Sequence, residues 1–386
     1  MGRFGFFAFP ALSKEQAGQP LGNYAYMDQI AALRWVQRNI RGFGGNPKDV
    51  TIFGESAGGG SVLTLLTSPM TKGLFEKAVV ESGGGRDSLM GVRYVNKTSP
   101  TGKPSGEAVG IAFARKMGID GTGPAALAKL RALPAEQVVD GLNMASMGKQ
   151  AGIYVGPMID GKIVTMTPAQ ALRSGHYWKV PFMIGTNSMD IGFPMWHTLP
   201  QIWAAFGPEA KAAKAAFDPD GKGTAMSVGY RIAEEMMMTE PARFVAATIA
   251  ADGQPAYVYR FSYVAQSLRN KWPGAFHATE IPYVFDTVAA KYGSALAPAD
   301  AAIAKQANEY WLNFAKTGNP NGAGLPHWPA YHQSTDKLIN FTEDHGPVGE
   351  VDPWGTQLNL VRGLEKRMEE MRKAPTSAKN EAAPAK

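Results

Sequence analysis

Residues 49–58 read Asp49-Val50-Thr51-Ile52-Phe53-Gly54-Glu55-Ser56-Ala57-Gly58. An apolar run leads into G-x-S-x-G, and the small residues at 57–66 suit a helix. The pattern predicts a strand, a sharp turn and a helix, with Ser56 at the apex. A serine hydroxyl is a weak nucleophile and must be presented bare to a base. The sharp turn does this, but it crowds the backbone on either side, so the flanking positions need almost no side chain. The same turn sets the Ala57 N–H at a helix N-terminus, where it can help hold an oxyanion. In a chain with 44 glycines the pentapeptide alone could be a chance match. The strand before it and the helix after it make it informative.

Working outward, residues 26–40 place Ile30, Leu33, Val36 (or Trp35) and Ile40 at helical spacing, and Gly44-Gly45-Asn46-Pro47 stops them. Residues 50–53 and 78–80 are short apolar runs of the kind buried parallel strands use. Residues 106–117, 125–133 and 301–315 read as helices, and 182–184 and 256–263 as further strands. Strands alternating with helices imply an α/β sheet with helices on both faces. A chain of 386 residues with 45% hydrophobic content can bury a large core. We read 1–372 as one α/β domain and 373–386, rich in Ala, Lys and Pro, as a disordered tail.

Composition excludes several classes. With no cysteine there is no disulfide, thiolate chemistry or cysteine-bound metal. The net charge of +6 is partly tail charge, at Lys366, Arg367, Arg372, Lys373, Lys379 and Lys386. No Lys/Arg run with interleaved aromatics appears in the body, so nucleic acid is not an expected partner. No apolar stretch reaches the roughly 18 residues of a membrane span. Met1 to Leu12 has one arginine and an apolar run but lacks the charged region of a signal peptide. The expected location is cytoplasmic as the chain stands, or periplasmic or secreted if a signal peptide precedes it.

Residues 22–60, GNYAYMDQIAALRWVQRNIRGFGGNPKDVTIFGESAGGG, resemble the type-B carboxylesterases, the family of bacterial para-nitrobenzyl esterases and of the cholinesterases. The resemblance continues through Leu74-Phe75-Glu76-Lys77-Ala78 and Glu81-Ser82-Gly83. It returns at Gly156-Pro157, Asp160-Gly161, Gly185-Thr186-Asn187 and Gly274-Ala275-Phe276-His277-Ala278-Thr279-Glu280-Ile281. It ends with Trp311, Phe314 to Asn321, Trp328-Pro329 and Tyr331. These motifs run in family order over about residues 4–342. The resemblance implies an α/β-hydrolase fold and hydrolysis of small carboxylic esters, with no metal or cofactor. It also implies that the Gly-x-Phe-Gly-Phe stretch, Gly2 to Phe6, lies inside the fold, after a central strand. In the family, two strands and a His-Gly-Gly-type oxyanion loop come before that point. The N-terminal strands are therefore expected to be missing here, leaving 50–53 as an exposed apolar edge.

The site residues follow. In α/β-hydrolases the chain order is nucleophile, acid, histidine. Of six histidines, His277 matches the family's catalytic loop and is the expected base. The resemblance places the acid at Asp190, five residues after Gly185. Asp is one methylene shorter than the family's Glu, so its loop must come slightly closer. Met189 stands where the family has an acidic residue. Asp160 is the competing carboxylate, though Asp160-Gly161 resembles a turn outside the triad. Ser82 and Glu280 match residues that support the histidine in the cholinesterase branch; the plainer alternatives are a strand-end turn and a cap. Glu55 is expected in a structural ion pair. Phe193, Trp196, Trp203 and Phe206 are candidate pocket walls, each alternatively ordinary core. Two other classes stay open: a non-catalytic cholinesterase-like binding module, against which the retained Ser56, Asp190 and His277 count, and a weakly active or inactive truncated hydrolase.

Overall fold

The computed structural model describes residues 2–87 and 92–373; the expected tail lies, from residue 374 on, outside the described residues. The strands are β1 (Thr51–Glu55), β2 (Lys77–Glu81), β3 (Phe182–Asn187), β4 (Ala256–Phe261), β5 (Lys337–Thr342) and β6 (Gly346–Val351). The helices that matter below are α1 (Tyr24–Asn39), α2 (Ala57–Thr67), α3 (Gly106–Lys116), α4 (Pro124–Arg131), α5 (Ala225–Glu234), α6 (Glu240–Ala251), α7 (Pro298–Thr317) and α8 (Gly355–Lys373). The chain divides into two compact units. One comprises Met1–Lys48, Thr64–Phe75 and Met90–Trp178; the other comprises Asp49–Leu63, Glu76–Leu89 and Lys179–Lys386.

The first unit is helical. Phe9, Leu12, Leu21, Phe113, Leu127 and Leu130 form its core between the N-terminal segment, α3 and α4. The Arg3 guanidinium is buried there and donates to the carbonyls of Val138 at 2.9 Å and Ile153 at 3.3 Å. Such bonds keep a buried cation from being orphaned.

The second unit holds a six-stranded sheet in the order β1-β2-β3-β4-β5-β6. β1 to β5 run parallel and β6 is antiparallel to β5. Side chains alternate across a strand. Val79, Met183, Tyr257, Tyr259, Phe261, Ile339 and Phe341 share one cluster with Tyr310, Trp311 and Phe314 of α7. Residues of the opposite parity, such as Ala78, Ile184 and Val258, are buried too, and α6 packs against β3 and β4. This is why the strand sequences read as continuous apolar runs rather than alternating ones. Two motif residues gain a physical reason here. A Cβ on Gly185 would overlap the Tyr259 ring, so glycine makes room for an aromatic on the neighbouring strand. Asn321 accepts from the Trp328 N–H at 2.7 Å and donates to its carbonyl at 2.9 Å, fixing a fully buried indole among Tyr257, Tyr259, Tyr310 and Trp311.

β1 is the edge of the sheet. Phe53 on it is 50% exposed, its ring 5.9 Å from that of Phe285, which is 52% exposed.

Candidate active site

Parallel strands present their carboxyl ends, and the loops leaving them, on one side of a sheet, where open α/β proteins place their chemistry. β1, β2, β3 and β4 lead in turn to Ser56, Ser82, Asp190 and the loop that carries His277.

Ser56 adopts φ +57°, in the left-handed region that a non-glycine residue rarely occupies. The turn is held from both sides, since the Ser56 N–H donates to the Glu81 carbonyl at 2.8 Å and the Gly60 N–H donates to the Ser56 carbonyl at 3.0 Å. A Cβ on Gly54 would meet the Gly58 carbonyl carbon at 2.5 Å, so the first glycine of G-x-S-x-G is needed for its contact with the backbone of the last, where a Cβ would meet nothing. Gly59 and Gly83 meet in the same way, letting the first turn of α2 sit against the end of β2. Ala57 opens α2, so its N–H belongs to the first-turn amides with no acceptor inside the helix.

His277 Nε2 lies 2.8 Å from Ser56 Oγ, and its Nδ1 lies 2.5 Å from Asp190 Oδ1. Asp190 is fully buried. Its Oδ1 also accepts from the Ile191 N–H at 2.8 Å, while Oδ2 accepts from Ser82 Oγ at 2.6 Å and the Asn187 N–H at 3.1 Å. With its other acceptor sites filled this way, the Asp190 side chain accepts from His277 Nδ1–H, leaving the Nε2 lone pair for the serine. Burial works against a charged His277, but the Asp190 hydrogen bond and the charges of Asp190, Glu55 and Glu280 hold its pKa above the ordinary value.

The acid loop and the histidine loop are joined along their backbones. The Met189 N–H donates to the Ala275 carbonyl at 2.8 Å, and the Ala275 N–H donates to Ser188 Oγ at 2.9 Å. Asn187 Nδ2 donates to the Phe276 carbonyl at 2.8 Å. Met189 itself packs against Gly274, where a Cβ would meet its Cγ at 2.7 Å.

Other expected residues fall differently. Ser82 touches the acid rather than the histidine. Glu280 is fully buried and bonded by Asn187 Nδ2, so it reaches the histidine loop through that amide; burial pushes its carboxyl up to about 8. Among the described residues Glu55 pairs with no lysine or arginine. Its Oε1 lies 3.2 Å from His277 Nε2, beside the serine, because the elbow turns both side chains toward the imidazole. Burial pushes the Glu55 carboxyl up, and His277 partly holds it down. Asp160 forms a turn of its own, with Oδ1 accepting from the N–H groups of Lys162, Ile163 and Val164. Phe206 is fully buried in a core with Ile202, Val228, Ile232 and Leu364, its ring 6.1 Å from Phe217, and Trp196 and Trp203 pack on the same core. Phe206 is therefore core, Trp196 and Trp203 are partly buried against it, and Phe193 is 45% exposed.

Sequence reasoning passed over Glu81, whose carboxyl accepts from Trp311 Nε1 at 2.5 Å and is pushed by burial up to about 7. Both partners lie in quoted motifs, so the signal was two polar residues in otherwise apolar elements. Tyr230 was also passed over: its hydroxyl donates to the Asp190 carbonyl at 2.9 Å.

The family model described as the carboxylesterase family matches residues 1–216 and 209–352. Carboxylesterase 1C of Rattus norvegicus is 31% identical over 343 residues, covering 82% of this chain and 59% of that protein. Liver carboxylesterase 1 of Oryctolagus cuniculus is 31% identical over 368 residues, covering 85% of this chain and 62% of that protein. A solved structure of PNB esterase superposes with a TM-score of 0.71 at 27% identity, covering 94% of this chain and 73% of that one. The chain thus spans about three-fifths of the length of these curated relatives (59% and 62%).

Proposed function

The chain belongs to the carboxylesterase family, and from that membership we propose that it hydrolyses uncharged carboxylic esters of moderate size through an acyl-enzyme. The observation that carries this reading is the unbroken line Ser56 Oγ–His277–Asp190, with contacts of 2.8 and 2.5 Å. Ser56 Oγ attacks the ester carbonyl carbon while His277 Nε2 takes its proton. The carbonyl oxygen becomes an oxyanion facing the Ala57 N–H at the start of α2. The C–O bond to the alcohol breaks, and the alcohol leaves with the proton from His277. Water then gives a proton to His277 and attacks the acyl carbon; the bond from that carbon to Ser56 Oγ breaks, His277 returns the proton to Oγ, and the acid leaves. Asp190 holds the imidazole tautomer and offsets its charge throughout, and Glu55 adds a second negative group beside Nε2.

Ser56→Ala should abolish turnover of a short-chain aryl ester while leaving the fold intact, since only weak residual acceleration survives loss of a nucleophile. An aryl phosphonate should label Ser56 in the parent, read by peptide mass. Labelling elsewhere, or full activity in the variant, would refute the assignment.

A further inference from the structure

α5 does not end cleanly. It runs into a π-turn, Glu235–Thr239, before α6 begins. Such turns interrupt a helix and are frequent at functional sites. Here the turn lets one continuous helical segment touch the acid's strand and loop at several places. Downstream, Thr239 Oγ1 lies 3.3 Å from Thr186 Oγ1 on β3. Upstream, Tyr230 and Glu234 are four residues apart and share a face. Tyr230 Oη donates to the Asp190 carbonyl at 2.9 Å. Gly192, two residues past the acid, lies directly on the backbone of Ala233 and Glu234, where any Cβ would overlap.

Glu234 is fully buried, and neither carboxyl oxygen closes a hydrogen bond. Burial pushes it up to about 8, against the opposing pull of the Asp190 N–H and of Arg231. Burial favours its neutral form, because an unpaired carboxylate is costly to bury. It has no part in the ester chemistry described above.

We propose that Tyr230 and Glu234 are positioning residues for Asp190, Tyr230 gripping its main-chain carbonyl and Glu234 set beside its N–H, with the Glu234 backbone packed on Gly192. The inference rests on the reading of Asp190 as the triad acid. An aspartate reaches less far than a glutamate, so its backbone must be held closer to the histidine. A helix anchored to the same strand supplies that hold.

The test uses the full chain, with Tyr230→Phe, Glu234→Leu and Glu234→Gln. Three readouts are taken: kcat per site titrated with an aryl phosphonate, KM, and the low-field proton resonance of His277 Nδ1–H, which needs no turnover. Tyr230→Phe and Glu234→Leu should each lower kcat about tenfold with KM unchanged, since a small misplacement of a reacting group is costly. Both should shift or broaden the resonance. Glu234→Gln, which keeps a carbonyl acceptor, should stay near the parent. Parent-like kcat per site and an unmoved resonance in the first two, whatever their folded yield, would reduce both residues to packing. Equal losses in Glu234→Gln and Glu234→Leu would overturn the role of Glu234 beside the Asp190 N–H. Asp190→Asn in parallel separates the layers. If it is parent-like, the triad reading falls and takes the grip with it. If it is crippled while Tyr230→Phe and Glu234→Leu are not, the grip alone is wrong.

Discussion

Asp190 receives Ser82 Oγ, the Asn187 N–H, the Ile191 N–H and His277 Nδ1, one for each lone pair it has. Asp190→Asn must therefore turn an NH₂ toward a donor, and the imidazole is then held in the wrong tautomer. Turnover of an aryl ester should fall by about 10⁴. Asp160→Asn disturbs only a turn bonded to three amides and should lower Tm without lowering kcat. The reverse result would mean that the wrong carboxylate has been named. The base must be neutral to act, and its pKa lies above the ordinary 6.5. The rising limb of kcat/KM should accordingly sit above pH 6.5, and Glu55→Gln should move it toward lower pH, because one of the charges favouring the imidazolium is gone. An unmoved limb in that variant would remove Glu55 from the electrostatics of the site. Ser56 and His277 are legible in sequence because each sits in a tight local turn whose small residues are spelled out beside it. The contact of Glu55 with His277 is not, because it depends on a loop more than 200 residues away. The same holds for Tyr230, whose partner is a backbone carbonyl and leaves no side-chain signature.

Elements are legible where their apolar pattern is long or strongly flanked. α1, α3, α4 and α7 lie within a few residues of the helices expected at 26–40, 106–117, 125–133 and 301–315, and the first four strands fall at the expected runs. The β5–β6 hairpin goes unread because Pro347 and Gly349 depress strand propensity in an edge strand that tolerates them. The π-turn joining α5 to α6 is invisible to a periodicity of 3.6 because it interrupts that period. β1 carries its own prediction. Its outer backbone groups lie at the sheet edge beside the exposed Phe53 and Phe285 rings, a surface that invites pairing with another chain. Phe53→Lys should lower concentration-dependent self-association in sedimentation velocity. A parent-like sedimentation profile would show that this edge does not drive association.

Taken whole, the second unit buries a set of carboxyls whose pKa burial raises. Burial pushes Glu81 and Glu235 up to about 7 and Glu234 and Glu280 up to about 8, from an ordinary 4.5. The folded state thus binds protons that the unfolded state has lost. Stability from these groups is full below about pH 4.5 and is lost as pH rises through 7 to 8. Tm should fall between about pH 4.5 and about pH 8, the span of these titrations. Glu81→Gln, which still accepts from Trp311, should flatten that fall; an unchanged slope would mean that Glu81 does not titrate there. A different consequence lies in the strand order, which simply repeats the order of the chain. During synthesis each new strand finds its neighbour already made and waits for nothing that comes later. The serine arrives with the first strand, its helper Ser82 with the second, the acid after the third and the histidine after the fourth. The nascent protein carries its nucleophile through most of its own birth without the partner that would wake it.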